Sequence, residues 1–588
     1  MAKKDKYNWS KYQLDIFDFI KHGQGNCVIQ AAAGSGKTTV LIKSLDFIDK
    51  DKSVLLTAFN RDIVSVLEKK SKGFPNVTAM TLHSLGLKVL KRNYPSSVLK
   101  INEFKYASYI NKNISWLSDG DVSKRGVYMS NINNYVNFGR FYMCQTEEDL
   151  SFIEERYGIN TVSDEKSVAI KVMEWGKKNL DEIDYTDMIW IPNVMYLDTK
   201  GLKYDWIFSD ECQDYNVAER ELLLKCRKIN TRMVSCGDKS QCIYAFSGSD
   251  PYSFKALQEV PNTISLPLSI TYRCADKIVE YASKYTDKIE KNGQNREGRV
   301  IYGVNPLDVP DDSMVLCRTN APLIKLYTKY LLCGRKAYIR GKDIGENLIE
   351  LVKRTGKDEL NLGLASDGVF VRLYEKLFDM RDDIMLKNNI NKHEAMDSAQ
   401  FQLKFDMIKS LEILSGDIFT SRELITKIES IFSDKKNENG TIWLSTVHKS
   451  KGLEADNVFV LCDSLMKDKK PDKEWEITQE KNLMYVAYTR AKNTLGFLDE
   501  HGFEDVKYTY QAVFSDLKKR EDKVNMVLGK KPKDFVIDSS NAYDVIKNAK
   551  PIEKTVGKSK EISFGQQSKR SNNTLYNKNL TKKYKKSW

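Results

Sequence analysis

Two glycines, a lysine and two threonine hydroxyls fall within nine residues: Ala31, Ala32, Ala33, Gly34, Ser35, Gly36, Lys37, Thr38 and Thr39. The run follows a short apolar stretch, residues 26–31, and opens a helical pattern over 38–48. In that setting Gly34 and Gly36 let backbone N–H groups close on phosphate oxygens. Lys37 then neutralises the β- and γ-phosphates of a nucleotide, and Thr38 ligates Mg²⁺. Ala31 stands where the general pattern has its first glycine.

A second group, Asp210-Glu211-Cys212-Gln213-Asp214, follows the apolar residues 206–209. Asp210 at the tip of a buried strand suits Mg²⁺, and Glu211 suits a general base that activates water. Each pair of acids alone reads as solvated charge; beside a phosphate loop the pair reads as catalytic. Hydrolysis also needs positive charge on the transition state, and arginines can supply it. Arg273 and Arg490 are the candidates, although either one alone reads as a surface arginine.

These residues need a scaffold. Strand patterns at 26–31, 53–58, 206–209 and 233–236, with a helix at 62–70, predict α/β structure with a parallel sheet. The pattern returns over 265–345, with a strand at 314–317, and at 441–447, 457–462 and 494–498. Two helical insertions interrupt it, at 88–182 and 346–440. Thr420 and Glu423 form a capping-box signature ahead of residues 424–432. The domain boundaries expected are 1–87 with 183–264, and 265–345 with 441–505, leaving 506–588 as a C-terminal extension.

The chain has 588 residues, enough for several domains, and a net charge of +13 from 93 basic and 80 acidic residues. No apolar run is long enough to cross a membrane. The polar N-terminus lacks the apolar stretch of a secretion signal. Ten cysteines are scattered with no C-x-x-C pair, which argues against zinc and iron–sulfur sites and for a reducing cytoplasm. Residues 551–588 hold ten Lys/Arg and two acids, a net +8, and read as a disordered tether for DNA or a protein partner.

The whole set resembles the superfamily 1 UvrD/Rep/PcrA-like helicases. Residues 57–61 resemble motif Ia, 81–86 motif Ib, 210–214 the D-E-x-Q-D motif and 237–246 motif III. Tyr272 and Arg273 fall in motif IV, 446–454 resemble motif V and 485–491 motif VI. The motifs keep the family's order from Gln13 to residue 491, most of the chain. Two departures stand out. Where the family often has arginine after the motif III aromatic, Ser247 follows Phe246. The second insertion is also smaller than in the large bacterial members, so the resemblance is closer to compact phage-like or bacterial relatives.

The resemblance implies two RecA-like domains, each interrupted by a helical subdomain. It implies that Gln13 reads adenine, Tyr272 stacks on it, Gln241 senses the γ-phosphate and Glu454 lies near the ribose or phosphates. Arg273 and Arg490 become the arginine fingers. Phe59, Asn60, Tyr244, Phe246 and His448 become contacts to single-stranded DNA, with His83 and Thr446 bonding phosphates. The implied activity is ATP- and Mg²⁺-dependent travel along single-stranded DNA, 3′→5′, with unwinding at single-strand/duplex junctions in replication, repair or recombination. Two rivals share the motifs: a translocase that strips proteins without unwinding, and an ATP-regulated DNA-binding scaffold with a dead motor.

Overall fold

The computed structural model describes residues 8–58, 61–95, 99–114, 122–161, 163–388, 390–433, 440–463, 473–499 and 510–530. The basic tail at 551–588 lies outside them.

The first sheet has six strands. They are β1 (Asn26–Ala31), β2 (Val54–Thr57), β3 (Val77–Met80), β6 (Tyr204–Ser209), β7 (Arg227–Gly237) and β8 (Thr263–Leu268). Their order is β3-β2-β6-β7-β1-β8, and every pairing is parallel. All four residues of β2 are buried, the mark of a strand covered on both faces. The carboxyl ends of β1, β6 and β7 gather at one edge, where ligands bind open parallel sheets.

The second sheet has seven strands. They are β9 (Arg299–Val304), β10 (Met314–Cys317), β11 (Ala337–Arg340), β12 (Phe432–Ser433), β13 (Ile442–Thr446), β14 (Ala455–Val460) and β15 (Ala491–Leu498). The order is β12-β11-β13-β10-β14-β15-β9, again parallel throughout.

One expected boundary moves. The sequence pattern places residues 265–268 in the second α/β region, yet β8 pairs along its whole length with β1 and belongs to the first sheet. Its exposure hid it: only Leu268 of the six residues is buried, as befits an edge strand.

The first insertion is built from helices Lys105–Asn113, Val122–Phe141, Glu147–Tyr157 and Glu165–Lys178, closed at its base by β4 (Lys100–Ile101) and β5 (Glu182–Ile183). The helix Leu82–Asn93 leads into it. Gly86 there faces Met188, and any Cβ would collide with the Met188 carbonyl. A buried polar knot fixes the insertion to the helix Tyr185–Val194. Asp187 accepts from Lys105 Nζ at 2.7 Å and Tyr106 Oη at 2.6 Å, while Arg140 Nη1 donates to Asp184 at 2.8 Å. Each charge is paired, as burial requires.

Among the described residues the second insertion holds five helices, from Lys342–Lys353 to Ser421–Ile431. Thr420 caps the last of them through the Glu423 N–H. A helix Tyr510–Leu528, within the region read only as an extension, packs against Val369–Asn388. Glu521 there bonds Arg381 through both oxygens, at 2.6 and 2.8 Å. No helix among the described residues is long and apolar enough to cross a membrane.

Candidate active site

The phosphate loop turns out of β1 into the helix Lys37–Ser44 through two left-handed glycines, Gly34 (φ 70°) and Gly36 (φ 85°). A Cβ on Gly34 would collide with Arg273 and come 2.8 Å from the Thr271 hydroxyl, so the loop is pressed by the segment that follows β8. The Tyr272 N–H donates to the Gly34 carbonyl at 2.9 Å.

Lys37 Nζ lies 3.0 Å from Glu211 Oε1. Burial pushes the lysine down, but Glu211, Asp238 and Asp210 outweigh it and hold the ammonium above its ordinary value. Burial raises Glu211 as well; Lys37 and Lys451 prevail and hold that carboxylate down at about 2. Glu211 adopts φ 55°, an unusual conformation for a non-glycine residue and one found disproportionately at functional sites.

Thr38 Oγ1 donates to Asp210 Oδ2 at 2.9 Å. Burial, then the neighbouring Glu211, push Asp210 up to about 6. A hydroxyl beside a carboxylate that is crowded by a second one fits a hard divalent cation, with phosphate and water completing its shell. Asp210 would hold the ion and Thr38 would assist.

The sign of the Asp210 shift gives a test. An ordinary aspartate titrates near 3.9, so the folded chain holds this proton more tightly than the unfolded one. The associated stability is present below about pH 4 and lost as pH rises through about 6. Asp210→Asn should therefore raise the melting temperature of the nucleotide-free, metal-free protein, more at pH 8 than at pH 5. It should also abolish ATP turnover. Thermal melts of the two proteins at both pH values check it.

From the second half come Arg273, Arg490, Tyr485 and Lys451. Arg273 Nε donates to Glu454 Oε2 at 2.6 Å, and Lys492 pairs with the other Glu454 oxygen at 2.9 Å. Arg490 is buried; its Nε donates to the Val486 carbonyl at 2.9 Å and its Nη1 to the Leu453 carbonyl at 3.1 Å. Its Nη2 reaches Gln241 Oε1 at 3.4 Å. Burial, then the nearby Arg273, push Arg490 down to about 10. Gln241 in turn donates to Asp238 at 2.7 Å. A chain of contacts thus joins Arg490 to the carboxyl end of β7.

Gln13 opens the helix Lys11–His22, where it completes a capping box with Ser10. Its Oε1 also accepts from the Tyr272 hydroxyl at 3.3 Å. The Gln13 amide nitrogen faces Gly36, and the Tyr272 ring is partly exposed beside it. The two residues expected at a base thus stand together next to the loop.

Some residues at this centre were given no role from sequence. Tyr485 accepts from the Ala33 N–H at 3.0 Å, a bond from one half onto the phosphate loop of the other. Lys451 pairs with Asp214 and donates to the Gln241 carbonyl at 2.7 Å. Both belong to recognised motifs, but their partners lie more than two hundred residues away.

On the candidate DNA face, Phe246 is 49% exposed and meets the His448 ring edge-on, centroids 5.3 Å apart. Tyr244 Oη donates to the His448 carbonyl at 3.1 Å. Thr446 is buried, and its Oγ1 accepts from the Lys449 N–H at 3.4 Å. His83 Nδ1 sits 3.7 Å from Glu219 Oε1. Burial lowers the histidine and raises the glutamate to about 7, so the two do not form a full ion pair at neutral pH. Phe59 and Asn60 lie outside the described residues.

Comparison with known proteins adds to this geometry. Residues 15–261 match the UvrD/REP helicase N-terminal domain, and 441–498 match the UvrD-like helicase C-terminal domain. The chain is 27% identical over 504 residues to F-box DNA helicase protein 1 of Schizosaccharomyces pombe, covering 79% of this chain and 55% of that one. It therefore spans about half the length of that relative. It is 21% identical to the ATP-dependent DNA helicase Rep of Buchnera aphidicola subsp. Acyrthosiphon pisum, covering 80% of this chain and 92% of Rep. With PcrA of Bacillus subtilis the identity is 22%, over 81% of each chain. The two matched domains cover just over half of the sequence and hold the phosphate loop, the paired acids, Lys451, Tyr485 and Arg490, and on these grounds the chain belongs to the UvrD/Rep helicase family.

Proposed function

We propose that this chain is an ATP-dependent DNA helicase that hydrolyses ATP to travel 3′→5′ along single-stranded DNA and open duplex at a junction. The observation that carries the reading is the meeting around one phosphate loop of Lys37, Asp210 and Glu211 with Arg273 from the segment after β8 and with Tyr485 and Arg490 from the helix Glu474–Tyr488 and its end. Such a site hydrolyses fast only when both halves are in place, which ties turnover to their relative position. Relatives named as ATP-dependent DNA helicases support the same reading.

Phe246 and His448 offer stacking surfaces that accept any base, worth roughly 1–3 kcal/mol per base. A stacking grip suits a motor that must pass every sequence. Mg²⁺ at Thr38 and Asp210 would offset phosphate charge, while Glu211 takes the proton of the attacking water.

The test compares 3′-tailed and 5′-tailed duplexes, with ATP turnover measured on the same samples. Unwinding that needs the 3′ tail is expected. A requirement for the 5′ tail reverses the polarity. DNA-stimulated turnover without strand separation replaces unwinding with protein displacement. No DNA-stimulated turnover leaves an ATP-regulated scaffold.

A further inference from the structure

Arg156 ends the helix Glu147–Tyr157 of the first insertion and is only 7% exposed. Its Nε and Nη2 have no hydrogen-bond partner by geometry, and the charged group that acts on it is the Asp250 carboxylate, beside the Tyr142 and Tyr157 hydroxyls. Four rings surround its guanidinium instead: Trp475 at 5.1 Å, Tyr157 at 5.7 Å, and Tyr142 and Phe152 both at 5.9 Å. Ring faces attract a cation, but burying a guanidinium short of hydrogen bonds still costs more than burying a methionine of similar reach.

Two of those rings lead to the motor. Tyr157 Oη donates to the Ala245 carbonyl at 3.1 Å, and Tyr142 Oη to the Ser249 carbonyl at 3.4 Å. Both bonds grip the turn that presents Phe246. Trp475 lies in the first turn of the helix Glu474–Tyr488, just ahead of Arg490. One turn further on, Gln479 accepts from the Phe246 N–H at 3.3 Å. Lys473 closes the joint by donating to the carbonyls of Glu155 and Arg156, at 2.7 and 3.0 Å. The guanidinium therefore stands where the insertion, the Phe246 turn and the Arg490-bearing helix meet. This is also the turn in which Ser247 follows the aromatic residue where the family often has arginine.

We propose that Arg156 is a positioning residue that takes the place of the missing motif III arginine, holding the Phe246 turn in register with the helix that leads to Arg490. The charge comes from the insertion rather than from the turn itself. It acts through Tyr157 and Trp475 and touches neither nucleotide nor DNA. This inference rests on the reading of the chain as a DNA-stimulated ATPase.

The test uses the full chain and measures ATP turnover with and without single-stranded DNA, along with KM for ATP. Arg156→Met keeps the bulk and removes the charge. It should lower DNA-stimulated turnover by about tenfold, the loss of one coupling contact. Basal turnover and KM for ATP should stay within about twofold, since no group at the nucleotide changes. Ser247→Arg added to Arg156→Met should restore most of the stimulation, a recovery that a purely structural role would not produce. If Arg156→Met melts early, Trp475→Leu removes the ring on the other side of the joint and should give the same split.

Equal loss of basal and stimulated turnover overturns the proposal, as does unchanged stimulation or failure of Ser247→Arg to rescue. Absence of DNA stimulation in the unsubstituted chain overturns the proposed function as well. Stimulation that is present and indifferent to Arg156 overturns this inference alone.

Discussion

Glu211→Gln is expected to cut ATP turnover on the order of 10³-fold, with KM for ATP changed only a few-fold. The carboxylate is ionised at every working pH, because Lys37 and Lys451 hold it at about 2 against its burial. Such a carboxylate is a weak base while Lys37 stays paired with it. Nucleotide phosphate competes for the same ammonium, 3.0 Å away. When phosphate takes Lys37, Glu211 loses the partner that lowers its proton affinity, just where water must be activated. The amide keeps the shape and loses that response. Lys37→Ala should lose turnover as severely but raise KM as well, since it removes a ground-state contact. Steady-state kinetics with single-stranded DNA separate the two.

The second large effect belongs to the arginine pair. Arg273→Ala and Arg490→Ala are each expected to lower turnover by at least about 10³-fold. The two cations repel, and this is one reason that Arg490 sits at about 10. An anion between like charges relieves the repulsion, so the pair gains most when charge builds on a transferring phosphoryl group. The substitutions should differ in stability. Arg490 bonds the carbonyls of Val486 and Leu453 in the interior, so Arg490→Ala leaves both without that donor and lowers the melting temperature. Arg273 pairs with a half-exposed Glu454, so its loss should barely move the melt. The double substitution should cost much less than the product of the two, because both serve one event. Turnover and melting curves on the three proteins check this.

Buried parallel strands were easy to read where the run is short and mostly apolar. Met314–Cys317 was expected residue for residue, since all four side chains are covered. The first strand was equally plain, and its loop carried its own chemistry in Gly34, Gly36 and Lys37. Edge strands were harder. β8 exposes much of its surface, and β9 hardly reads as a strand at all. The helix Tyr510–Leu528 was missed because its fixing partners, Arg381 among them, lie more than a hundred residues upstream.

At the site, local chemistry was legible and long-range pairing was not. Asp210 and Glu211 announce themselves by their place after an apolar strand. Tyr485 reads as one more aromatic in the apolar end of a mixed helix until the fold brings it to the Ala33 N–H. Lys451 likewise reads as a basic residue in a polar turn until Asp214 is beside it. Arg156 had no signal of its own. Ser247 after Phe246 reads as a departure from the family pattern and points to no other residue.

The strand order has a consequence for synthesis. Among the described residues, every strand of the six-stranded sheet precedes every strand of the seven-stranded one, and the two sets do not interleave. A chain leaving the ribosome can therefore finish the first sheet, with Lys37, Asp210 and Glu211, before the second begins. Such a nascent chain has the means to hold nucleotide but not to spend it, because Arg490 and the strand that follows it, β15, are made almost last. On the proposed function, turnover is therefore expected only from chains whose second sheet is complete.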